Sequence, residues 1–145
     1  MKLEDQVVSL ELSKKLKTLG VKQESLFSWI YDPDTGVPTL IDRWSKDGMF
    51  FIASAFTVAE LGKMLPDYTQ KLGNLEIGKC DTDHMTMEVK EKRWWNVSYW
   101  TWGNKNTKSG DIYLEKVSKH LQQANTEANA RAKMLIYLLE NDLFN

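Results

Sequence analysis

Cysteine is the residue type that this sequence most nearly lacks, because Cys80 is the only one among 145 residues. A single cysteine cannot form an intramolecular disulfide, so a disulfide-dense secreted scaffold is excluded and a reducing cytosol is expected. The chain also lacks an apolar run as long as a membrane span, and its acidic start has no apolar core of a secretory signal. We therefore expect a soluble, cytoplasmic protein that does not enter a membrane.

An excess of charge of one sign is missing as well. Lysine and arginine together number 19 against 20 acidic residues, a formal net charge of -1, so no global field would attract nucleic acid or an anionic membrane. The densest basic group, Lys14, Lys15 and Lys17, is typical of a solvated helix face. With 42% hydrophobic and 27% charged residues, the composition predicts one globular domain spanning residues 1–145.

Motifs of known catalytic sites are absent from the sequence. It contains no phosphate-binding loop, dinucleotide fingerprint or zinc-protease helix. The only histidines are His84 and His120, and neither stands in a recognisable setting as a base for a nucleophile. Cys80 and His84 are close enough in sequence to share a metal, but structural zinc needs four ligands, and the sequence offers only one other histidine, His120, and no second cysteine. We predict no catalytic residue, no metal and no cofactor, and hence a protein that is not an enzyme.

Three helices are predicted from the spacing of apolar residues and from their capping signals. Thr57 and Glu60 have the spacing of a capping box, and Pro66 disfavours helix in the residue before it. The last helix is apolar almost all round, which is typical of burial against a sheet. The predicted helices are residues 9–19, capped by Ser9 and stopped by Gly20, a short helix from about residue 58 to 65, and residues 127–141 after the cap Thr126.

Strands account for most of the remainder. Residues 24–31 and 37–44 are two β-prone runs around a Pro-Asp-Thr-Gly turn, which predicts a hairpin. Between residues 75 and 102 the apolar period is two, with strands around 85–89 and 95–99 and a tight connection at Glu91, Lys92 and Arg93. Residues 103–110 are predicted to be a loop, and residues 111–119 are ambiguous between strand and helix, with strand favoured. The fold class is therefore α+β: an antiparallel sheet of about four or five strands packed by three helices.

Four of the six tryptophans fall within residues 94–102. On a strand, Trp94, Trp100 and Trp102 would point to one face, and Trp95, Val97 and Tyr99 to the other. Either both faces are covered, or one is an aromatic platform on which a planar ligand or a partner protein stacks. In the second interpretation the site residues are Trp94, Trp100 and Trp102, with Lys92, Arg93 and Lys105 supplying positive charge.

A second pattern, in residues 16–29, matches the turn and recognition helix of a helix-turn-helix DNA reader. Gly20 and Val21 would form the turn, and Ser25, Leu26 and Trp29 would lie on the recognition helix. Against this, Leu16 stands where such motifs need a small residue, and the Asp-Pro pair after residue 31 would truncate the second helix. We favour a hairpin strand at this place and keep a small DNA-binding regulator as an alternative.

The three capped segments, residues 9–25, 55–66 and 126–141, resemble a group of small uncharacterised proteins encoded by bacteriophages and prophages. The layout resembles, more distantly, phage sandwich domains in which a sheet lies between helices. The resemblance implies a phage or prophage origin and a place in the bacterial cytoplasm, and it brings no catalytic residues. Small phage accessory proteins without enzyme motifs commonly bind a host protein or a small signal molecule, so this is the expected function. A homo-oligomeric assembly protein, with the tryptophans at its interface, is the other alternative.

Overall fold

The computed structural model describes residues 2–42, 50–82, 89–106 and 112–144. In this part of the chain a 3₁₀ helix, Leu3–Asp5, precedes three α-helices and seven strands. The helices are α1 (Leu10–Thr18), α2 (Val58–Met64) and α3 (Glu127–Glu140). The strands are β1 (Phe27–Tyr31), β2 (Pro38–Asp42), β3 (Phe51–Ser54), β4 (Tyr68–Thr69), β5 (Gly73–Thr82), β6 (Val89–Asn106) and β7 (Ile112–Ala124).

The strands form two antiparallel sheets, so the predicted α+β class with three helices is confirmed. The small sheet has the order β2-β1-β3 and the large sheet the order β4-β5-β6-β7. β1 pairs with β2 on one side and with β3 on the other, and it does not pair with β6, which carries the tryptophans. The described strands therefore form one sheet of four strands and one of three. None of the helices in the described ranges is both long enough and apolar enough to cross a membrane.

The predicted hairpin in the first third of the chain is confirmed, with β1 paired to β2 around its turn. The Asp32 carboxylate accepts the backbone N–H groups of Asp34 and Thr35, each at 2.9 Å, and these bonds hold the pKa of Asp32 below its usual value. Gly36 completes the turn at φ 67°, a conformation that favours glycine. Because β1 occupies the place of the recognition helix, the helix-turn-helix pattern does not form. The end of the predicted second strand, residues 43 and 44, lies outside the described residues.

The capping box at the start of α2 is confirmed. The N–H of Glu60 donates to Thr57 Oγ1 at 3.2 Å, and the N–H of Thr57 donates to the Glu60 carboxylate at 2.7 Å. The same carboxylate accepts the N–H of Leu26 at 3.0 Å and the hydroxyl of Ser25 at 2.9 Å, and so ties α2 to the chain entering β1. Burial would raise the pKa of Glu60, but the bonds from Thr57, Leu26 and Ser25 outweigh it and lower the pKa.

Ser9 precedes the first residue of α1, but the predicted cap by its side chain is wrong. The Ser9 hydroxyl makes no capping bond, and the Ser9 backbone N–H instead donates to Asn129 Oδ1 of α3 at 2.9 Å. The predicted stop is confirmed, because α1 ends at Thr18 and Gly20 follows at φ 82°. Thr126 caps α3 as predicted by accepting the N–H of Asn129.

Strand β6 is longer than the sequence predicted, and this corrects two loops. Glu91, Lys92 and Arg93 lie inside β6 and do not form a connection, since Thr82 of β5 pairs with Val89. Between Val89 and Trp102 there is no glycine or proline to interrupt the strand, and charged side chains alone do not end it. Most of the strand predicted at 85–89 lies outside the described residues. β6 also runs on to Asn106, opposite Ile112, so the predicted loop at residues 103–110 is too long; residues 107–110 lie outside the described part. The strand favoured for residues 111–119 is confirmed from Ile112 onward as β7.

The core lies between α3 and one face of the large sheet. Val97 and Tyr99 of β6 point into it, and the Tyr99 hydroxyl donates to the backbone oxygen of Pro66 at 2.6 Å. The buried alanines of α3 have small side chains, and the helix can therefore pack closely against the sheet. The other fully buried members of this core include Val8, Leu16, Phe56, Leu61, Ala128, Ala130, Ala132, Met134 and Leu138.

Candidate functional site: the tryptophan face

The outer face of the large sheet carries the candidate site. Along β6 the side chains alternate, so that Val97 and Tyr99 are buried toward the helices while Trp100 and Trp102 lie on the opposite side. Trp102 is 59% exposed, and Leu114 of β7, on the same outer side, is 66% exposed. Large apolar side chains exposed side by side are unusual on a monomer surface and mark interaction sites.

The two tryptophans contact each other and are held by a lysine. The rings of Trp100 and Trp102 meet edge to face, with centroids 5.4 Å apart and planes at 88°. Nζ of Lys116 lies 4.7 Å from the centre of the Trp100 ring and forms an ion pair with Glu76. Lys116 thus reaches from β7 across Trp100 to β5, and this geometry combines a cation–π contact with a salt bridge. Glu76, Trp100, Trp102, Leu114 and Lys116 are called the tryptophan face from this point.

The register explains why these residues meet. Lys116 pairs with Trp102, and Ser118 pairs with Trp100, because the pairing of β6 with β7 shifts by one residue between Tyr99 and Trp100. Glu76 lies on β5 opposite Ser98, diagonal to Trp100. One positive and one negative side chain therefore frame an aromatic centre, and the tryptophan face carries no net charge.

Of the other predicted site residues, Trp94 lies apart from this cluster. Trp94 lines a separate depression of about 320 Å³ with Ser9, Leu12 and Lys133, next to α1 and α3. Six residues along a strand span roughly 20 Å, which separates Trp94 from Trp100. Arg93 lies one residue further away in β6, and Lys105 pairs with Tyr113 near the far end of the same strand.

One positive charge beside the tryptophans comes from a residue that the sequence did not single out. Lys116 supplies it, and Glu76 fixes the lysine in place. Leu114, Lys116 and Ser118 alternate with Glu115 and Val117, a period of two that could have shown them to share one face once the strand was assigned.

His120 lies on the core side of the sheet, paired with Tyr99. Its ring stacks on Tyr137 of α3 with centroids 3.4 Å apart and planes at 5°, and a hydrogen bond of 2.8 Å joins His120 Nε2 to Gln122 Nε2. Cys80 lies in β5, and His84 falls outside the described residues. Within the described ranges no three residues of the His, Cys, Asp or Glu types are grouped so that they could hold a metal.

Stability is expected to fall in mildly acidic solution because of His120. Burial lowers the pKa of His120 from its ordinary 6.5, so the unfolded chain binds a proton at a pH where the folded chain does not. The histidine therefore contributes its full stability above pH 6.5, and the contribution is lost as the pH falls below that value. Urea unfolding between about pH 6.5 and 5 would measure the loss. The His120→Phe variant keeps a flat ring against Tyr137 and should lack this slope; an equal slope in both proteins would contradict the assignment.

Comparison with family models, with curated protein sequences and with solved structures returned no match for this chain.

Proposed function

We propose that this chain is a non-enzymatic binding protein that docks a partner protein on the tryptophan face. The observation that supports the proposal is the exposure of Trp102, 59%, beside Trp100 and Leu114 on a sheet surface. The resemblance of the capped segments to phage and prophage proteins favours a bacterial host protein as the partner.

The tryptophan face has the composition of an energetically important interface centre. Tryptophan is enriched among the few residues that carry most of the binding energy, and such residues cluster at the centre of an interface. Trp102 and Leu114 supply the apolar area, while Lys116 and Glu76 supply polar groups at its border. Covering these side chains would remove apolar surface from water at roughly 25 cal/mol per Å².

The face is also ordered before a partner arrives. Trp100 is held by the ring edge of Trp102 and by Lys116, and Lys116 is held by Glu76. Ordering a flexible side chain on binding costs about 0.5–1.5 kcal/mol, so rings fixed in advance save part of that cost. This property supports recognition of a defined partner surface.

A protein partner suits this surface better than a small molecule. Small ligands are bound in concave sites that enclose most of their area, whereas Trp100 and Trp102 stand on a sheet. The depression lined by Trp94 does not include them. A flat aromatic surface with opposite charges at its border is typical of protein interfaces.

Loss of partner binding is expected when Trp102 and Leu114 are both replaced by alanine. Removing two exposed anchors should weaken affinity by about 30-fold or more, the effect of a truncated hot spot worth about 2 kcal/mol. Native mass spectrometry of protein recovered gently from bacterial lysate would identify the partner, and calorimetry with that partner would give the affinities. Both side chains are exposed, so the circular dichroism spectrum and the unfolding midpoint should not change.

Tyr31→Ala is the matched control, because Tyr31 is 45% exposed and lies in β1 of the small sheet, outside the sheet that carries the tryptophan face. Its affinity should equal that of the unmodified protein. Full partner binding by the Trp102→Ala, Leu114→Ala variant would refute the proposal. A recovered species containing only copies of this chain, which dissociates in that variant, would instead show that the face serves self-assembly.

A further inference from the structure

A cleft of about 670 Å³ lies away from the tryptophan face, between the two sheets and the starts of two helices. Phe27 of β1 and Trp95 of β6 contribute its aromatic walls, and Val58 of α2 adds an aliphatic one. The volume falls within the range of roughly 300–1,000 Å³ that is usual for small-molecule sites. We call this cavity the Trp95 cleft.

The walls of the Trp95 cleft come from parts of the chain that are fixed by separate contacts. Val7 pairs with Thr57, which holds the N-terminal segment beside the start of α2. Glu60 binds both Thr57 and Leu26, next to Phe27, so the small sheet and α2 are joined at the cleft. Trp95 is positioned by the pairing of β6 with Ala124 of β7. The cleft is therefore an open space between elements that are already anchored.

The polar groups of the cleft are amides, hydroxyls and carboxylates. Gln6 and Asn125 are exposed at its border and offer amide donors and acceptors. The Thr126 hydroxyl accepts the N–H of Asn129, and its own proton is left to donate. Such groups can bind the nitrogen and oxygen atoms at the edge of a planar ring that is stacked between aromatic walls.

The charge of the lining selects against anions. Asp5 and Glu127 line the Trp95 cleft, and its described lining includes neither lysine nor arginine. The Glu127 carboxylate accepts a hydrogen bond from Arg131 Nε at 2.9 Å, and the arginine offsets the negative charge of Glu127. Asp5 is exposed. The positive end of α3, about half a charge, lies in the same turn as Glu127, and the full negative charge of Asp5 exceeds it. In the described lining a phosphate would meet these two carboxylates and no lysine or arginine, since Arg131 is already paired with Glu127.

We propose that the Trp95 cleft binds a small planar nitrogen heteroaromatic molecule that is neutral or positively charged and carries no phosphate. The ring would stack against Trp95 and Phe27, its edge would bond to Asn125 and Thr126, and a positive group would lie toward Asp5. The proposal is independent of the tryptophan face, because none of its residues belongs to that surface.

Two pairs of probes test the proposed chemistry by calorimetry. Tryptamine and indole-3-acetate share one ring and differ in charge, and adenosine and AMP share one base and differ by a phosphate. Tryptamine or adenosine should bind saturably, and its anionic counterpart should bind at least about 10-fold more weakly, an energetic difference of about 1.4 kcal/mol. Failure of all four probes to bind up to millimolar concentration, or tighter binding of the anions, would overturn the proposal.

Ala59→Trp locates the binding, because Ala59 is exposed on α2 and lines the cleft. The added indole should fill the space and weaken the probe by at least about 10-fold, whereas Ala59→Ser should leave binding unchanged. Asp5→Lys, on the exposed 3₁₀ helix, provides a second variant that should weaken tryptamine and favour indole-3-acetate. Unchanged binding in both Ala59→Trp and Asp5→Lys would place the probe elsewhere and refute the assignment. Trp102→Ala should bind the probe normally, so failure of the protein-docking proposal would not affect this one.

Discussion

The Gly73→Ala variant is expected to lose about 2–5 kcal/mol of unfolding free energy, combining a strained backbone with a steric clash. Gly73 begins β5 at φ 89°, a conformation that L side chains rarely adopt. A Cβ atom added there would lie 2.0 Å from the backbone oxygen of Trp100 and 3.2 Å from Cβ of Thr101. Because the nearest atom belongs to the backbone, no rotamer change relieves the contact, and β5 must move away from β6.

Gly78→Ala is the control for this prediction. Gly78 lies in the same strand, and a Cβ added there would have no atom within 4 Å. Its unfolding free energy should change by no more than about 0.5 kcal/mol. Urea unfolding followed by tryptophan fluorescence would measure both variants, since the clash at Gly73 falls directly on Trp100. Equal stabilities of the two variants would show that the approach of Gly73 to Trp100 is not needed for pairing of the strands.

The elements that the sequence predicted well are those whose causes lie within a few residues. The capping box of Thr57 and Glu60 and the turn after Asp32 depend on side chains that bond to backbone groups two or three positions away. Such local chemistry is visible in a single sequence. Ser9 is the opposite case, because its backbone N–H bonds to Asn129, 120 residues further along the chain, and a contact this distant is not visible in the local sequence.

The extent of β6 and the division into two sheets could not be predicted in this way. Strand ends are set by the partner strand. Glu91, Lys92 and Arg93 are polar enough to suggest a turn, but the pairs on either side of them, Thr82 with Val89 and Cys80 with Trp94, keep them in β6 even though the register shifts between these pairs. The same non-local pairing joins β1 to β3 and leaves the large sheet with four strands. A pattern of period two identifies a strand but not its neighbour.

The candidate site depends on a single irregularity in the pairing of β6 with β7. Tyr99 pairs with His120 and Trp100 with Ser118, so Lys119 is an extra residue in β7. Without this bulge the outer side of β7 would carry Glu115 and Val117 opposite the tryptophans. With it, the outer side carries Leu114 and Lys116, since a shift of one residue exchanges the two faces of a strand. The sequence predicted the shared face of Trp100 and Trp102 but gave no sign of the bulge that adds Lys116.

Tyr99→Ala is expected to cost about 3–5 kcal/mol of unfolding free energy, the usual effect of removing a buried aromatic ring. Tyr99 is the largest fully buried side chain in the described part of the chain, and it anchors the inner face of β6 next to Trp100. Its ring packs with Val97 and the residues of α3 in the core, so the cavity left behind would lie directly under the tryptophan strand. Guanidinium unfolding would measure the change, and Tyr68→Ala, which removes an exposed ring, should alter stability by less than about 0.5 kcal/mol.

Tyr99→Phe separates the hydroxyl from the ring. Losing the 2.6 Å bond to the Pro66 oxygen should cost about 0.5–1.5 kcal/mol, the usual net contribution of a hydrogen bond, because Pro66 is only partly buried. Burial, followed by the nearby charge of Asp67, raises the pKa of Tyr99 from 10.0 to about 12. The hydroxyl therefore stabilises the fold fully below pH 10, and this contribution is lost as the pH rises toward 12. The unfolding free energy of Tyr99→Phe should fall less over that pH interval than the unfolding free energy of the unmodified protein. An identical dependence on pH in both proteins would show that the Tyr99 hydroxyl does not hold its proton in the fold.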